Sequence, residues 1–367
     1  MSLTVKYLCD NLHLNHESHL MELPRKILIG STVMGGLGNF IQQLDNNFSR
    51  IAFISGEIVK KRTQAICQKS LIDAELNDYR WFEAGEATLQ ESGKLSNLLT
   101  SYSPDVILGL GGGRSVDLAK MTAFSLGKSF ISVPTSASHD GISSPFVSIR
   151  GTDKPYSIKA KTPIGVLADV DLMSKAPRRL MVSGCGDLVG KITAVKDWEL
   201  ARDQAEEYYG TYAANLAYLS AKIILDEGQN LVLDRLHGLR TVVEALISAG
   251  VASCIAGSSR PCSGSEHLFS HAVEYVAGKN SGFHGERVGI GTIMMAKLHG
   301  LEWERIAETL ALIGAPTKGK QINLTENDVV QSLVLACSLR PERFTILNRE
   351  KLDKNAATNL AKTVNVI

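Results

Sequence analysis

None of the six cysteines (Cys9, Cys67, Cys185, Cys254, Cys262 and Cys337) stands in C-x-x-C spacing, which excludes a disulfide framework and a thiolate zinc site as organising features. An excess of one charge is missing too. The 39 Lys and Arg against 38 Asp and Glu leave no basic footprint for nucleic acid or for an anionic membrane surface. No apolar run reads as a membrane span, and the opening MSLTVKYLCDNLHLNHESHL lacks the charged start and unbroken apolar stretch of a signal peptide. A cytoplasmic protein with a small-molecule partner is therefore expected. Internal repeats and low-complexity tracts are absent as well, and a hydrophobic share of 44% against 21% charged excludes a mainly disordered chain.

The length of 367 residues exceeds the usual single-domain range and predicts two domains with a cleft between them. From residue 24 onward, short β-rich runs alternate with helical stretches: Lys26 to Gly30, Ile51 to Ser55, Arg80 to Phe82, Val106 to Leu110 and Phe130 to Val133. Such alternation predicts a parallel sheet covered by helices. After Pro145, Phe146 to Ile149 and Tyr156 to Lys159 read as a hairpin around Gly151 and Lys154, followed by a strand over Ile164 to Val170. Beyond Asp171 the text is amphipathic helix, as in Leu188 to Arg202, Tyr212 to Asp226, Leu236 to Ala256 and Val288 to Leu298. The expected fold is an α/β N-terminal domain over residues 1–175 and an all-α domain over 176–367, joined by a short hinge.

The run Asp105 to Asp117 is an apolar strand entering three adjacent glycines, Gly111, Gly112 and Gly113, and then a helix. Glycines there let the backbone approach an anion, and the amides and dipole of the next helix favour negative charge; the blander reading is a tight strand-to-helix turn. It is not the G-x-G-x-x-G fingerprint, because Arg114 takes the last glycine's place. The next strand ends in Pro134 to Gly141, whose small hydroxyl side chains suit a pyrophosphate or ribose at strand ends.

Three segments of the helical half combine carboxylate and imidazole with expected helix starts: Gly184 to Leu188, Ser265 to His271, and Phe283 to Glu286. Such a donor set suits Zn²⁺ or another divalent transition metal. His267 and His271, four apart, share a helix face, but Leu268 stands where an H-E-x-x-H protease has its general base. Two His and one Asp would leave a coordination position open for substrate. His237 and His299 are read instead as satisfied core residues.

Taken together, GLGGGRSVDLAK (109–120), PTSASHDGISSP (134–145), GCGDLVGK (184–191), SGSEHLFSH (263–271) and HGERVGIG (284–291) resemble the sn-glycerol-1-phosphate dehydrogenases. That family sits within the wider group of glycerol dehydrogenases, iron-containing alcohol dehydrogenases and dehydroquinate synthases. The likeness runs from about Leu23 to beyond Gly300; residues 1–22, with His13, His16 and His19, match nothing in it. The resemblance implies a dehydroquinate synthase-like architecture and reduction of dihydroxyacetone phosphate by NADH or NADPH to sn-glycerol 1-phosphate, the backbone of archaeal ether lipids. It also implies that Gly112, Gly113, Arg114, Ser115, Val116, Asp117, Thr135, Ser136, Ala137, Ser138 and Ser144 contact the cofactor. Asp187, His267 and His284 would hold one zinc per chain, with Asp140, Asp187 and His271 at the substrate; the two His at i and i+4 could exchange parts. Asp140 and His271 are the candidates for proton delivery, and a homo-oligomer is expected.

Two matters stay open at this point. Lys191 and Arg287 are candidates for the substrate phosphate, each weighed against the commoner solvated surface charge. Glu57 could accept ribose hydroxyls and favour NAD, whereas Lys60, Lys61 and Arg62 could hold a 2′-phosphate. The competing activities are a glycerol or other polyol dehydrogenase, a dehydroquinate synthase-like lyase, and a nucleotide-binding protein without chemistry.

Overall fold

Apolar runs bounded by turn residues form strands where the sequence places them. The structure is a computed structural model and describes residues 20–151, 157–278 and 280–367. Its strands are Lys26–Gly30 (β1), Arg50–Ser55 (β2), Asp78–Glu83 (β3), Val106–Gly111 (β4), Ser129–Pro134 (β5), Phe146–Ser148 (β6), Ser157–Lys159 (β7) and Gly165–Asp169 (β8). Helices Leu37–Leu44 (α1), Glu57–Asp73 (α2), Leu89–Tyr102 (α3) and Gly113–Ser125 (α4) alternate with the first five strands. After β8 the described chain is helical: Val170–Ser174 (α5), Arg178–Val189 (α6), Lys191–Ala205 (α7), Thr211–Leu233 (α8), Arg235–Ala256 (α9), Ser265–Ala277 (α10), His284–Leu298 (α11), Trp303–Ile313 (α12), Glu326–Leu339 (α13), Ile346–Glu350 (α14) and Lys354–Thr363 (α15).

The main sheet runs β1-β8-β5-β4-β2-β3, with every pairing parallel. Side-chain alternation divides it between two covers. Phe53 and Leu108 pack with Phe40 and Ile41 of α1 and Leu71 of α2, whereas Ile54 and Ile107 pack with Leu95 and Leu99 of α3 and Val116 of α4. Val166 and Ala168 of β8 join a third cluster that continues into the helices, so the last strand ties sheet to helical part. Because β2 leads outward to β3 and β4 leads the opposite way to β5, the sheet reverses direction between β2 and β4. Ligands of parallel α/β sheets bind at such a reversal, beyond the strands' carboxyl ends.

The hairpin forms as β6 and β7, pairing Phe146 with Lys159; Lys154 and Tyr156, read into it, lie outside the described residues. Three expectations change. Val170 opens α5 instead of ending β8, because Asp169 caps that helix by accepting from the Leu172 amide at 2.9 Å. The helix read over 188–202 is two helices meeting at Gly190, which leaves Asp187 in the last turn of α6 and not at a helix start. And α9 is long and apolar enough to cross a membrane by length and composition, with 67% of its most apolar stretch buried inside the protein. Its small apolar side chains face α5, α6 and α8. Buried core helices pass the same test of length and composition.

The loop after β5 is held from below by Lys120 of α4. Its ammonium is fully buried and donates to the carbonyls of Gly141 and Phe146, both at 2.7 Å, with the Asp117 carboxylate 3.8 Å away. Replacing it with Met removes both donors and leaves a buried carboxylate without its counter-charge. Lys120→Met is therefore expected to lose ~3–5 kcal/mol of stability, measured as a lower denaturant midpoint at unchanged slope; an unshifted midpoint would mean that the loop holds itself.

Candidate active site

A cavity of about 1290 Å³ opens at the sheet reversal. Gly56 after β2, the glycines after β4, the loop after β5 and the histidines of α10 and α11 all line it. Its volume accommodates a dinucleotide together with a small substrate, since drug-sized ligands occupy roughly 300–1,000 Å³.

At one end, Gly112 and Gly113 open α4. Their small size has two different origins. A Cβ on Gly113 would lie 2.1 Å from Nε2 of His139, and one on Gly141 would lie 2.3 Å from Cε1 of the same ring, so these glycines make room for an imidazole wedged between them. Gly112 has ordinary φ and ψ of −74° and −178°, and the nearest atom to a Cβ there is Ser136 Oγ at 3.4 Å. The protein's own packing does not require glycine at 112, which leaves the backbone there open to the cavity. Arg114, Ser115, Asp117, Thr135, Ser136, Ser138 and Ser144 also line the cavity. Val116 and Ala137, named with them in the sequence reading, turn their side chains into apolar clusters, Val116 because helix periodicity puts it on the face of α4 toward the sheet. Asp117 spends one oxygen internally, accepting from the Ser148 amide at 3.1 Å. Near β2, Glu57 and Arg62 line the cavity, whereas Lys61 pairs with Glu57 at 2.6 Å and Lys60 lies over the Trp81 ring.

At the other end, Asp187, His267 and His284 come together, with donor atoms all within 4.8 Å of one another. Close packing of α6 on α11 achieves this. A Cβ on Gly186 would stand 2.2 Å from the Gly285 carbonyl oxygen, and one on Gly285 would stand 1.8 Å from that of Ser183. Arg179 then pins the start of α11 through a bidentate pair with Glu286 at 2.6 and 2.7 Å. Asp187 Oδ1 lies 3.3 Å from Nε2 of His267 and 3.6 Å from Nε2 of His284. Those separations exceed the roughly 2.7–2.9 Å of a charge-assisted hydrogen bond. They bracket the edge of about 3.4 Å that bonds of ~2.1 Å make around a tetrahedral centre. The donor set therefore fits a divalent metal. His271 sits beside it, its ring centroid 6.2 Å from that of His284.

Electrostatics favour a cation at this end. Burial would raise Asp187, but Lys191 and the two neighbouring imidazoles hold it well below the ordinary carboxylate range. Burial pushes His284 down to about 4 and His271 well below its ordinary value, leaving both neutral with lone pairs available. Burial would also lower His267, but the carboxylates of Asp187 and Glu266 beside it outweigh burial and hold it above the ordinary value.

Lys191 and Arg287 are not surface charges: both are buried. Lys191 Nζ sits 2.9 Å from Asp140 and 3.0 Å from Asp187, and burial, which would discharge it, is overcome by the two carboxylates. Arg287 lines the cavity while donating to Ser270, the Gly282 carbonyl and Glu274. His299 pairs with buried Asp197 at 3.0 Å, as a satisfied core residue does, but His237 is exposed. Sequence reasoning missed His139 and Glu266. Direct adjacency to His267 was the available signal for the second, whereas the glycines around His139, Gly113 and Gly141, come together only in the fold.

Residues 28–177 match the iron-containing alcohol dehydrogenase family. A protein of Nitrosopumilus maritimus (strain SCM1) named glycerol-1-phosphate dehydrogenase (NAD(P)+) is 48% identical over 96% of this chain and 98% of its own. Another of that name, from Cenarchaeum symbiosum (strain A), is 50% identical over 95% of this chain and 97% of its own. The crystal structure of a probable glycerol dehydrogenase from Sinorhizobium meliloti 1021 covers 95% of this chain and 98% of its own at a TM-score of 0.74 and 20% identity, a likeness of fold. The α/β-plus-helical, dehydroquinate synthase-like architecture is thus the one observed, and identity of this order over nearly the whole chain makes the protein a member of the glycerol-1-phosphate dehydrogenase family.

Proposed function

We propose that the protein reduces dihydroxyacetone phosphate to sn-glycerol 1-phosphate with NADH or NADPH, using one zinc ion per chain held by Asp187, His267 and His284. The carrying observation is the spacing of 3.3 and 3.6 Å between one carboxylate oxygen and two imidazole nitrogens. In this reading residues 1–175 bind the cofactor and 176–367 the metal and substrate. The enzyme acts in the cytoplasm as a homo-oligomer, and its product serves ether-lipid synthesis.

When bound, the reduced nicotinamide supplies a hydride and the metal supplies Lewis acidity at the C2 oxygen. The chain's own groups do the rest. Amides at the start of α4, with Ser115, Thr135, Ser136 and Ser138, receive the pyrophosphate. Glu57 and Arg62, which line the cavity together, account for tolerance of either a ribose hydroxyl or a 2′-phosphate. Asp140 faces the cavity with Lys191 behind it and stands where a water relay would deliver the proton; His271, held neutral, offers a ring N–H to the substrate. Of the two candidates for the substrate phosphate, Lys191 is fully buried and does not line the cavity, whereas Arg287 does, which leaves Arg287.

Two measurements test the reading. Gly112→Ala is expected to keep wild-type stability but to weaken NADH binding by at least ~10-fold, about 1.4 kcal/mol, in a fluorescence titration; unchanged affinity would move the pyrophosphate elsewhere. With dihydroxyacetone phosphate, the product is expected to be sn-glycerol 1-phosphate alone, identified with a stereospecific coupling enzyme. Unphosphorylated dihydroxyacetone should be about 10- to 150-fold worse in kcat/KM, the value of losing a charge-assisted contact of ~1.5–3 kcal/mol. Equal turnover of the two ketones would point to a polyol dehydrogenase on the same scaffold.

A further inference from the structure

We infer that Glu266 is a positioning residue for the metal centre: it fixes the tautomer and the aim of His267, so that Nε2 presents a lone pair toward Asp187. The inference rests on the proposed metal reading.

Glu266 is completely buried, a costly place for a carboxylate unless every oxygen has work. One oxygen, Oε1, accepts from the Gly264 amide at 2.7 Å and lies 2.7 Å from Nδ1 of His267. The other, Oε2, accepts from the Thr193 hydroxyl at 2.8 Å. An ionised carboxylate only accepts, so Nδ1 must carry the hydrogen. In the neutral ring, Nε2 is then bare, and it faces a second acceptor, Asp187 Oδ1, at 3.3 Å. Nε2 and Oδ1 facing each other at that distance are held together by a proton or by a metal ion between them. A carboxylate behind a ligating imidazole also raises the ring's basicity and fixes its orientation.

The anchor of this arrangement comes from outside α10. Thr193 belongs to α7, two residues after Lys191, and the adjoining Gly190 is so close that a Cβ there would stand 3.2 Å from Cγ of Glu266. The same bend that sets Lys191 against Asp187 therefore also holds Glu266 behind His267. A bland alternative exists, since the Gly264 contact makes Glu266 a cap for its own helix. The two roles separate by experiment: Gln at 266 keeps a carbonyl oxygen for the Gly264 amide but removes the charge facing Nδ1.

The test is zinc affinity by chelator competition on the purified full-length chain, with the visible spectrum of the Co²⁺-substituted protein as a second readout. His267→Ala and Asp187→Asn serve as controls for the metal reading. Glu266→Gln is expected to melt as the wild type does without metal, to bind Zn²⁺ about 10-fold more weakly and to shift the Co²⁺ bands; Glu266→Ala should approach a loss of about 100-fold. Zinc affinity of Glu266→Gln within about twofold of wild type, beside a clear loss in His267→Ala, would overturn the role of Glu266 and leave the metal site standing. A wild-type chain that takes up no zinc or cobalt would overturn both.

Discussion

The site depends on one buried ammonium. Lys191 lies between Asp140, on the loop after β5, and Asp187, on α6, and so ties the cofactor side of the cavity to the helical side. Removing a carboxylate from water costs several kcal/mol, as does removing an ammonium, and the Lys191 charge beside buried Asp187 offsets that cost. The sum over the three groups is one negative charge. That balance keeps Asp187 an anion, and the Asp140 amide reinforces it by donating to Asp187 Oδ2 at 3.1 Å. The other carboxylate oxygen, Oδ1, is left to the imidazoles.

Geometry then follows from backbone contact. Side-chain packing normally separates helix axes by 8–10 Å, and closer approach needs glycine where the backbones meet. Gly186 and Gly285 remove the side chains where α6 meets α11, and the Arg179–Glu286 pair fixes the register by holding the first turn of α11, Glu286 also accepting from the Phe283 amide at 2.8 Å. The glycines of this half are therefore an architectural counterpart of those in the cradle. Here, as at Gly113 beside His139, protein fills the space they leave.

Much of this was legible in the sequence, for physical reasons that also explain the exceptions. Buried parallel strands such as Val106 to Leu110 announce themselves as unbroken apolar runs, and glycines at a strand end mark where backbone must be approached. The Gly190 bend was hidden because the apolar rhythm continues through it from Val189 to Ile192. Lys191 and Arg287 read as surface residues because a charge on an amphipathic helix is ordinarily solvated. Their burial is created by partners distant in the chain, above all Asp140 for Lys191. The motif names consecutive residues, and it does not show that the side chains of Val116 and Ala137 turn away from the cavity into apolar clusters.

The two ends of the cavity have opposite electrostatic preferences, and in the proposed reading the metal and a separate cation together orient the substrate. The start of α4 offers amides and the positive end of a helix dipole, suited to the cofactor's phosphates. The Asp140–Lys191–Asp187 group offers net negative charge, suited to a cation. A phosphorylated ketone whose carbonyl lies on the metal needs a second cation for its phosphate. It must direct that phosphate toward Arg287, which lines the same cavity and is kept charged by Glu274 at 3.1 Å, and leave its carbonyl for the metal. With both ends of the molecule assigned and the cofactor side fixed by the cradle, only one face of C2 is presented, so the handedness of the product follows from where the charges sit.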